Sequence, residues 1–206
     1  RKTSTKKESG LCTPLWQFTA DYHKVAENVY LHLLNTSTNY VYIMSLSDLD
    51  DELVRAMTFA ARRGVDVRII MPGIPDKQYA FDIATTYFKV LLDAGVRIFV
   101  IPGFVHAKVY VSDSQQAVVG TINTDYRSLY QNFKMGFIST KIWKCLRLKK
   151  ILENPGSLRG SHFRKFIKNT YGSSSGWLSF FFDWTFDVKK EESYGYKNSF
   201  EIVRKP

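Results

Sequence analysis

Cysteine is one of the rarest residues in this sequence, with only Cys12 and Cys145 among 206 residues. A metal site built from cysteine needs several of them at short, fixed spacing, and a small disulfide-held domain needs several pairs. Neither pattern occurs here. The two cysteines therefore exclude a disulfide framework and a cysteine-based metal centre, and they favour a reducing compartment.

Long apolar runs are also missing. A membrane-spanning helix requires about 18 or more consecutive apolar residues, and no stretch approaches that length. Neither terminus reads as a secretory signal peptide. If this chain meets a membrane, we expect it to lie on the surface or to be anchored by a missing N-terminal part of a longer protein.

Acidic residues are scarce in the last third of the chain. Residues 141–206 contain 14 basic and 6 acidic side chains, a net charge of +8, whereas residues 1–140 contain 15 and 13, a net charge of +2. This asymmetry suggests an anionic partner for the basic segment, either a lipid surface or nucleic acid. The alternative is a basic segment that is merely solvated.

The strongest chemical pattern lies between His106 and Asn123. This stretch predicts two short strands joined by a polar turn, with Val118-Val119 in the return strand. Side chains alternate along a strand, so His106, Lys108 and Tyr110 are expected on one face. An imidazole beside an ammonium makes a site for an anion, and the amide of Asn123 is placed to reach the same face.

The spacing H-x-K-x4-D-x6-G-[ST]-x-N resembles the HKD signature of the phospholipase D superfamily. Six residues fill it: His106, Lys108, Asp113, Gly120, Thr121 and Asn123. The run that follows, Asp125-Tyr126-Arg127-Ser128-Leu129, resembles the second motif of bacterial cardiolipin synthases. An isolated H-x-K would be read as a histidine at a strand start beside a surface lysine, but six positions at fixed spacing favour the motif.

The resemblance implies a reaction that needs no metal and no cofactor. One histidine attacks a phosphodiester phosphorus, a second protonates the departing oxygen, and water or an alcohol takes the phosphatidyl group from the phosphohistidine. His106 would be one of these histidines. Lys108, Thr121 and Asn123 would bind the phosphate oxygens.

The other motif positions have supporting roles in this resemblance. Asp113 belongs to the catalytic set of the motif, but its place in the turn favours a structural role, capping backbone amides or pairing with a cation. Gly120 allows close backbone approach, and Asp125 supports the motif.

One motif supplies only one histidine of the two required. The other histidines, His23, His32 and His162, lack a lysine two residues later. Either the chain is the C-terminal half of a two-motif enzyme, with His106 as the acid/base member, or two copies meet to form one site.

The remaining sequence predicts an α/β fold. Helices are predicted over residues 24–34, 50–64 and 79–93, and strands over residues 40–44, 65–71 and 96–101. This alternation argues for right-handed βαβ crossovers. The resemblance implies a phospholipase D-like mixed sheet with helices on both faces, βαβαβ followed by the motif hairpin.

We divide the chain into three parts. Residues 1–23 are polar and expected to be flexible, residues 24–140 form the domain with one HKD motif, and residues 141–206 form a basic and aromatic extension. The aromatic stretch 176–186 either anchors the chain at a membrane interface or folds back on the core.

Three places depart from the family pattern. Ser45–Asp48 replaces a T-P-Y segment, Phe99–Ile101 replaces Y-E-Y-T, and Lys134 lies where a glutamate usually accepts a hydrogen bond from the motif histidine. Lys134 is expected on a strand after the hairpin, facing the site; a register differing by one residue would place it in solvent.

The function favoured by the resemblance is phosphatidyl transfer between phosphatidylglycerol molecules, as in cardiolipin synthases. The alternatives are a single-motif dimeric phosphodiesterase acting on nucleic acid, and a catalytically decayed membrane-associated module. The expected partners are phosphatidylglycerol or another anionic phospholipid, an anionic membrane surface and a second HKD-bearing unit. The expected location is the cytoplasmic side of a bacterial cell membrane.

Overall fold

The computed structural model describes residues 11–18, 23–45, 49–75, 77–101, 106–140, 145–146, 149–150, 152–153 and 200–202. The helices in this part are α1 (Val25–Thr36), α2 (Asp51–Arg62), α3 (Gln78–Thr86) and α4 (Phe88–Asp93), with a π-helical turn at Arg127–Gln131. The strands are β1 (Cys12–Gln17), β2 (Tyr40–Met44), β3 (Asp66–Pro72), β4 (Arg97–Ile101), β5 (Lys108–Ser112), β6 (Gln116–Gly120), β7 (Lys134–Ser139) and β8 (Phe200–Ile202).

These strands form one mixed sheet in the order β1-β7-β6-β5-β2-β3-β4-β8. Strands β2, β3 and β4 are parallel neighbours, joined by helical crossovers as the sequence predicts. The motif hairpin of β5 and β6 continues the sheet in antiparallel fashion from β2, and β7 follows β6. The expected βαβαβ unit followed by a hairpin is confirmed.

Both faces of the sheet are buried. The first face carries Ile43, Ile69 and Tyr110 and packs against residues of all four helices, including Leu53 and Leu91. The opposite face is covered near its centre by the helical residues Cys145 and Leu152, which lie among the side chains of Tyr42, Ile70 and Val109. Double burial explains why the central strands read as nearly continuous apolar runs.

Helix α2 begins at its predicted cap, and α2 and α4 end at their predicted glycines. The Asp50 carboxylate caps α2 by accepting a hydrogen bond from the backbone N–H of Glu52 at 3.1 Å. Gly64 follows this helix with a φ of 90°, and Gly95 follows α4 with a φ of 95°. Only glycine adopts such angles without steric cost, so both residues act as stop signals.

The single helix expected over residues 79–93 is wrong, because the chain forms α3 and α4 with a break at Tyr87. The N–H of Tyr87 bonds the carbonyl oxygen of Ala84, three residues earlier, at 3.2 Å. The hydroxyls of Thr85 and Thr86 donate to the carbonyl oxygens of Asp82 and Ile83. These local bonds tighten the last turn of α3, where the helix is interrupted.

The two outer strands of the sheet, β1 and β8, come from outside residues 24–140. β1 pairs with β7 within the segment expected to be flexible, and β8 pairs with β4 within the segment expected to be an extension. Pro14 lies in β1, which is an edge strand, where the missing N–H of proline costs little. The aromatic stretch 176–186 lies outside the described residues.

The helices of the described part are short. None of them is both long enough and apolar enough to cross a membrane. The longest, α1 and α2, contain 12 residues each.

Candidate active site

Strand β5 sets the first two candidate residues at one end of the sheet. Lys108 is the first residue of β5 and is only 1% exposed, and His106 precedes it and is partly buried. The Lys108 ammonium donates to the carbonyl oxygen of His106 at 3.3 Å. Because β5 is antiparallel to β2, it begins at the end of the sheet where the parallel strands finish. In open α/β sheets, ligands bind at the carboxyl ends of the parallel strands.

Two glycines keep the sheet surface beside Lys108 clear of side chains. Lys108 pairs with Gly120 on β6, and Gly120 pairs with Gly136 on β7. A Cβ on Gly120 would lie 2.4 Å from the Cα of Gly136 and 2.6 Å from the carbonyl oxygen of Met135. Gly120 therefore permits the close approach of β6 and β7.

The turn after β6 holds an amide and a carboxylate as a fixed pair. Asn123 Nδ2 donates to one oxygen of Asp125 at 2.8 Å, and the other oxygen accepts the backbone N–H of Ser128 at 2.5 Å. Asp125 thus caps the π-helical turn and orients the amide. Because an amide nitrogen carries two hydrogens, one remains for an anion.

The other end of the Asn123 amide is a buried acceptor. Its Oδ1 has no hydrogen-bond partner among the residues that the structure describes. A buried carbonyl oxygen gains from a donor. The amide can therefore bind a hydroxyl or N–H group of a substrate as well as an anion.

Two tyrosines that the motif does not include fix the turn. The rings of Tyr30 and Tyr110 stack at 4.0 Å, and both hydroxyls donate to the carbonyl oxygen of Ile122, at 2.9 and 3.4 Å. Burial raises the pKa of both hydroxyls, so they stay neutral donors. The sequence signal for Tyr30 is weak: a tyrosine on the apolar face of an amphipathic helix.

Thr121 is placed differently from the expected phosphate ligand. Its hydroxyl donates to the carbonyl oxygen of Met135 at 3.0 Å and accepts the N–H of Met135 at 3.1 Å. The side chain is buried and continues the pairing of β6 with β7. In this structure Thr121 stabilises the sheet beside the site.

Asp113 lies in the hairpin turn at the other end of β5, about 16 Å from Lys108 along the strand. Its carboxylate accepts the backbone N–H groups of Thr38, Asn39 and Tyr40 at 2.7 to 2.9 Å. Burial by itself raises the pKa of Asp113, but these hydrogen bonds outweigh it and lower the pKa. Asp113 therefore ties the hairpin to the start of β2 and lies apart from the other catalytic candidates.

Lys134 faces the site end of the sheet. It is the first residue of β7, two residues before Gly136, and so shares the face of Lys108. The side chain is partly buried, which differs from the alternative register that places it in solvent. Burial lowers the pKa of the Lys134 ammonium; the negative charge of Asp125 opposes this shift, and the positive charge of Arg127 adds to it.

The other two departures from the family pattern differ in their distance from the site. Ser45 is buried and shares a 3.2 Å hydrogen bond with Thr124, next to Asn123, while residues 46–48 lie outside the described part. Phe99–Ile101 belongs to β4, three strands from β5. That replacement therefore lies away from the motif strands β5 and β6.

Residues 30–152 match the sequence profile of the family described as cardiolipin synthase, phospholipase D-like domain. A protein of unassigned function from Streptococcus mutans is 56% identical over 128 residues, which are 61% of this chain and 28% of that protein. Cardiolipin synthase 2 of Bacillus cereus is 38% identical over 133 residues, which are 59% of this chain and 26% of that enzyme. The chain thus spans about a quarter of the length of these relatives.

The fold is also similar to that of Nuc from Salmonella typhimurium, a phospholipase D family member. The TM-score is 0.58 at 17% identity, and the alignment covers 72% of this chain and 97% of Nuc. At this identity the likeness concerns the fold alone.

Proposed function

Because this chain belongs to the cardiolipin synthase family of phospholipase D-like domains, we propose that it is one motif-bearing half of a phosphatidyltransferase. The observation that carries this proposal is Lys108, buried at the start of β5 beside His106. Lys108 donates to the carbonyl oxygen of His106 at 3.3 Å, at the end of the sheet where the parallel strands also end. An ammonium and an imidazole placed together at this end of the sheet can bind the charge of a phosphate group.

The proposed reaction joins two phosphatidylglycerol molecules. A histidine attacks the phosphorus of the first, the bond from phosphorus to the glycerol oxygen breaks, and glycerol leaves with a proton from the second histidine. A hydroxyl of the second phosphatidylglycerol gives its proton back to that histidine and attacks the phosphohistidine. The products are cardiolipin and glycerol, and both histidines return to their starting states.

In this scheme His106 is the acid/base member, and the nucleophile comes from a second motif-bearing unit. That unit is the N-terminal half of a longer chain or a second copy of this one. Lys108 and the second N–H of the Asn123 amide stabilise charge on the non-bridging oxygens. The proposed setting is the cytoplasmic surface of a bacterial membrane, with anionic phospholipid as the partner.

A second candidate is a catalytically decayed membrane-associated module. Lys134 favours it, because an ammonium cannot accept the hydrogen bond that the usual glutamate takes from the histidine. A phosphodiesterase acting on nucleic acid is the third alternative, and product analysis separates it from the other two.

The test mixes this chain with a partner unit carrying the other motif, then supplies phosphatidylglycerol vesicles or single-stranded DNA. Cardiolipin and glycerol in equal amounts support the proposal. His106→Ala should remove this product, whereas His32→Ala, at an exposed position on α1, should not. Cleaved DNA without cardiolipin would establish the phosphodiesterase, and no product from either substrate would favour the decayed module. Measuring the mass of the native species shows whether two units have met.

A further inference from the structure

Lys134 carries a positive charge that its neighbours do not compensate. Its side chain is partly buried, and within the described part of the chain its ammonium makes no hydrogen bond and no ion pair. Two charged groups act on the pKa of this ammonium, the carboxylate of Asp125 and the guanidinium of Arg127, and their charges are opposite in sign. A cation that has lost part of its hydration in this way gains from an anionic ligand.

The motif lysine supplies a second positive charge on the same face of the sheet. Lys108 pairs with Gly120, which pairs with Gly136, two residues after Lys134. The Lys108 ammonium lies 3.3 Å from the carbonyl oxygen of His106, two residues before it. Since β5 and β7 run in the same direction, this ammonium is turned toward the level of the sheet at which Lys134 lies.

The two lysines lie close enough to hold one anion between them. Only β6 separates β5 from β7, so strand spacing puts the two backbones about 10 Å apart. Each ammonium is at the end of a four-carbon stem, which lets the side chains of Lys108 and Lys134 approach the same anion. The second N–H of the Asn123 amide, which Asp125 orients from the turn after β6, supplies a further donor.

The charged groups at this position have an excess of two positive charges. They are the cations Lys108, Lys134 and Arg127 and the carboxylate of Asp125. A phosphodiester carries one negative charge. A phosphomonoester carries close to two at neutral pH, because its second pKa is about 6, and it spreads them over three terminal oxygens. The monoester therefore matches the excess, whereas a diester leaves one cation uncompensated.

We propose that Lys108, Asn123 and Lys134 bind a dianionic terminal phosphate, as in a phosphomonoester or inorganic phosphate, in preference to a phosphodiester. Hydrogen bonds from an ammonium to a phosphate are charge-assisted and strengthen with the charge of the anion. This ligand differs from the phosphodiester substrate of the proposed transfer. If the chain has the proposed function, a bound monoester occupies the place of that substrate and inhibits the reaction.

The test compares the binding of methyl phosphate and dimethyl phosphate to the full 206-residue chain. These probes differ by one methyl group and one negative charge. Isothermal titration calorimetry at about pH 7.5, above the second pKa of the monoester, gives both affinities. The parent should bind methyl phosphate at least about tenfold more tightly, since a hydrogen bond between charged groups is worth a factor of this size.

A series of variants at position 134 changes the local charge in steps. Lys134→Arg keeps the charge and should keep the preference, Lys134→Gln should reduce it, and Lys134→Glu, which makes the four groups neutral, should abolish it. The matched control is Lys24→Gln, which removes an exposed ammonium that lies over the Tyr130 ring. It should bind both probes like the parent. Far-ultraviolet circular dichroism and thermal unfolding verify that the variants fold.

Three results would overturn the proposal. The first is equal affinity of the parent for the two probes. The second is a preference that Lys134→Gln leaves unchanged. The third is an equal loss in Lys24→Gln, which would make the preference a response to the net charge of the chain.

A second measurement needs no variant and therefore does not depend on folding. At about pH 5 methyl phosphate is mostly a monoanion, so its advantage over dimethyl phosphate should disappear. Histidine titrates in the same range, but the imidazole of His106 faces both probes, and the ratio of the two affinities isolates the charge of the ligand. A preference of the same size at both pH values would contradict the proposal.

Vesicles distinguish the two sources of a terminal phosphate. Phosphatidylcholine vesicles containing phosphatidic acid present a monoester, and those containing phosphatidylglycerol present a diester. Stronger binding to phosphatidic acid that Lys134→Gln removes would assign a lipid ligand, whereas a preference confined to methyl phosphate in solution would assign a soluble one. None of these measurements needs turnover. A chain that prefers the monoester but makes no cardiolipin would refute the proposed function alone, and a chain that makes cardiolipin without this preference would refute the present inference alone.

Discussion

Lys108 and Gly136 lie opposite each other across strand β6, since both pair with Gly120. Strand β7 runs in the same direction as β5, so Lys134, two residues before Gly136, lies toward the end where His106 precedes Lys108. Lys108 and Lys134 therefore share one face of the sheet, and the row through Lys108 carries only the glycines Gly120 and Gly136 on β6 and β7. A cation therefore stands where the family usually has a carboxylate.

The first prediction concerns Lys134→Glu. Replacing a cation by a carboxylate should raise the pKa of His106 relative to that in the parent, because a nearby negative charge favours imidazolium. The carboxylate would also accept a hydrogen bond from the ring and fix its tautomer. Phosphatidyl transfer in the presence of a partner unit should increase, and histidine titration by NMR reports the pKa directly.

Lys134→Gln separates charge from hydrogen bonding, since an amide is neutral but still accepts a hydrogen bond. Its rate should fall between those of the parent and the glutamate variant, at matched oligomeric state. A glutamate variant no faster than the parent would exclude Lys134 as the cause of slow turnover.

The second prediction concerns Lys108. Both Lys108→Met and Lys108→Ala should abolish turnover, because each removes the ammonium that neutralises the phosphate. Their stabilities should differ. Methionine fills the space of the buried lysine stem, whereas alanine leaves a cavity, so the alanine variant should be less stable by about 2 kcal/mol. Urea unfolding measures the difference, and equal stability would show that the stem is not packed in the core.

The third prediction concerns Asp113. Asp113→Asn should lower the free energy of unfolding by about 2 kcal/mol at pH 7, since it weakens several hydrogen bonds to a charged acceptor. Activity per folded molecule should be unchanged, because this turn is far from His106. Unfolding and turnover measured on the same preparation test both statements.

The pH dependence of the Asp113 effect has a definite sign. The pKa of Asp113 in the folded protein lies below the unfolded value of about 3.9. The ionised carboxylate therefore contributes its full stability above about pH 4, and this contribution is lost as the pH falls through the folded pKa. The stability difference between parent and Asp113→Asn should vanish in strong acid, and a constant difference would contradict this.

The fourth prediction concerns the basic segment after β7. Deleting residues 141–206 would also remove β8 and the buried Cys145 and Leu152, so substitution is the better test. Changing Arg159, Arg164, Lys165 and Lys168 to Gln should weaken binding to anionic vesicles. The expected loss is about fivefold per residue at low salt, from about 1 kcal/mol each, and much less at high salt.

The control for this prediction removes the same charge from another surface: Arg55→Gln, Arg62→Gln, Lys77→Gln and Lys89→Gln. These residues are exposed on or beside α2, α3 and α4. If both quadruple variants bind vesicles equally, net charge alone governs binding and residues 159–168 have no special role.

The sequence predicted most of the sheet because its signals are local. β2 has the predicted bounds, and the predicted starts of β3 and β4 differ by one residue from those observed. A continuous apolar run is visible in the chain itself, and so is a glycine that stops a helix. The HKD spacing likewise identified the family, because six positions are fixed by one hairpin and the turn that follows it.

Contacts between distant segments were decided only in the tertiary structure. β1 and β8 are stable because they complete the edges of a sheet formed by other residues, and neither has a strong strand pattern. The apolar spacing of Val25, Val29, Leu33 and Leu34 predicts one buried face for α1. Leu33 and Leu34 are buried as predicted, but in the first turns Ala26 and Tyr30 are the buried residues and Val25 is 36% exposed. A rotation of one residue on a helix moves a side chain by about 100°, which the sequence pattern does not resolve.

The same distinction holds within the site. The motif placed Lys108, Gly120 and Asn123 near one another because they lie on one hairpin and the turn after it. It did not show that the Thr121 hydroxyl donates to the carbonyl oxygen of Met135. Nor did it show that the Asp113 carboxylate accepts the backbone N–H groups of Thr38 and Tyr40. Hydrogen-bond partners depend on which strands become neighbours, so the sequence determined which groups are present, and the packing decided which of them remain for a substrate.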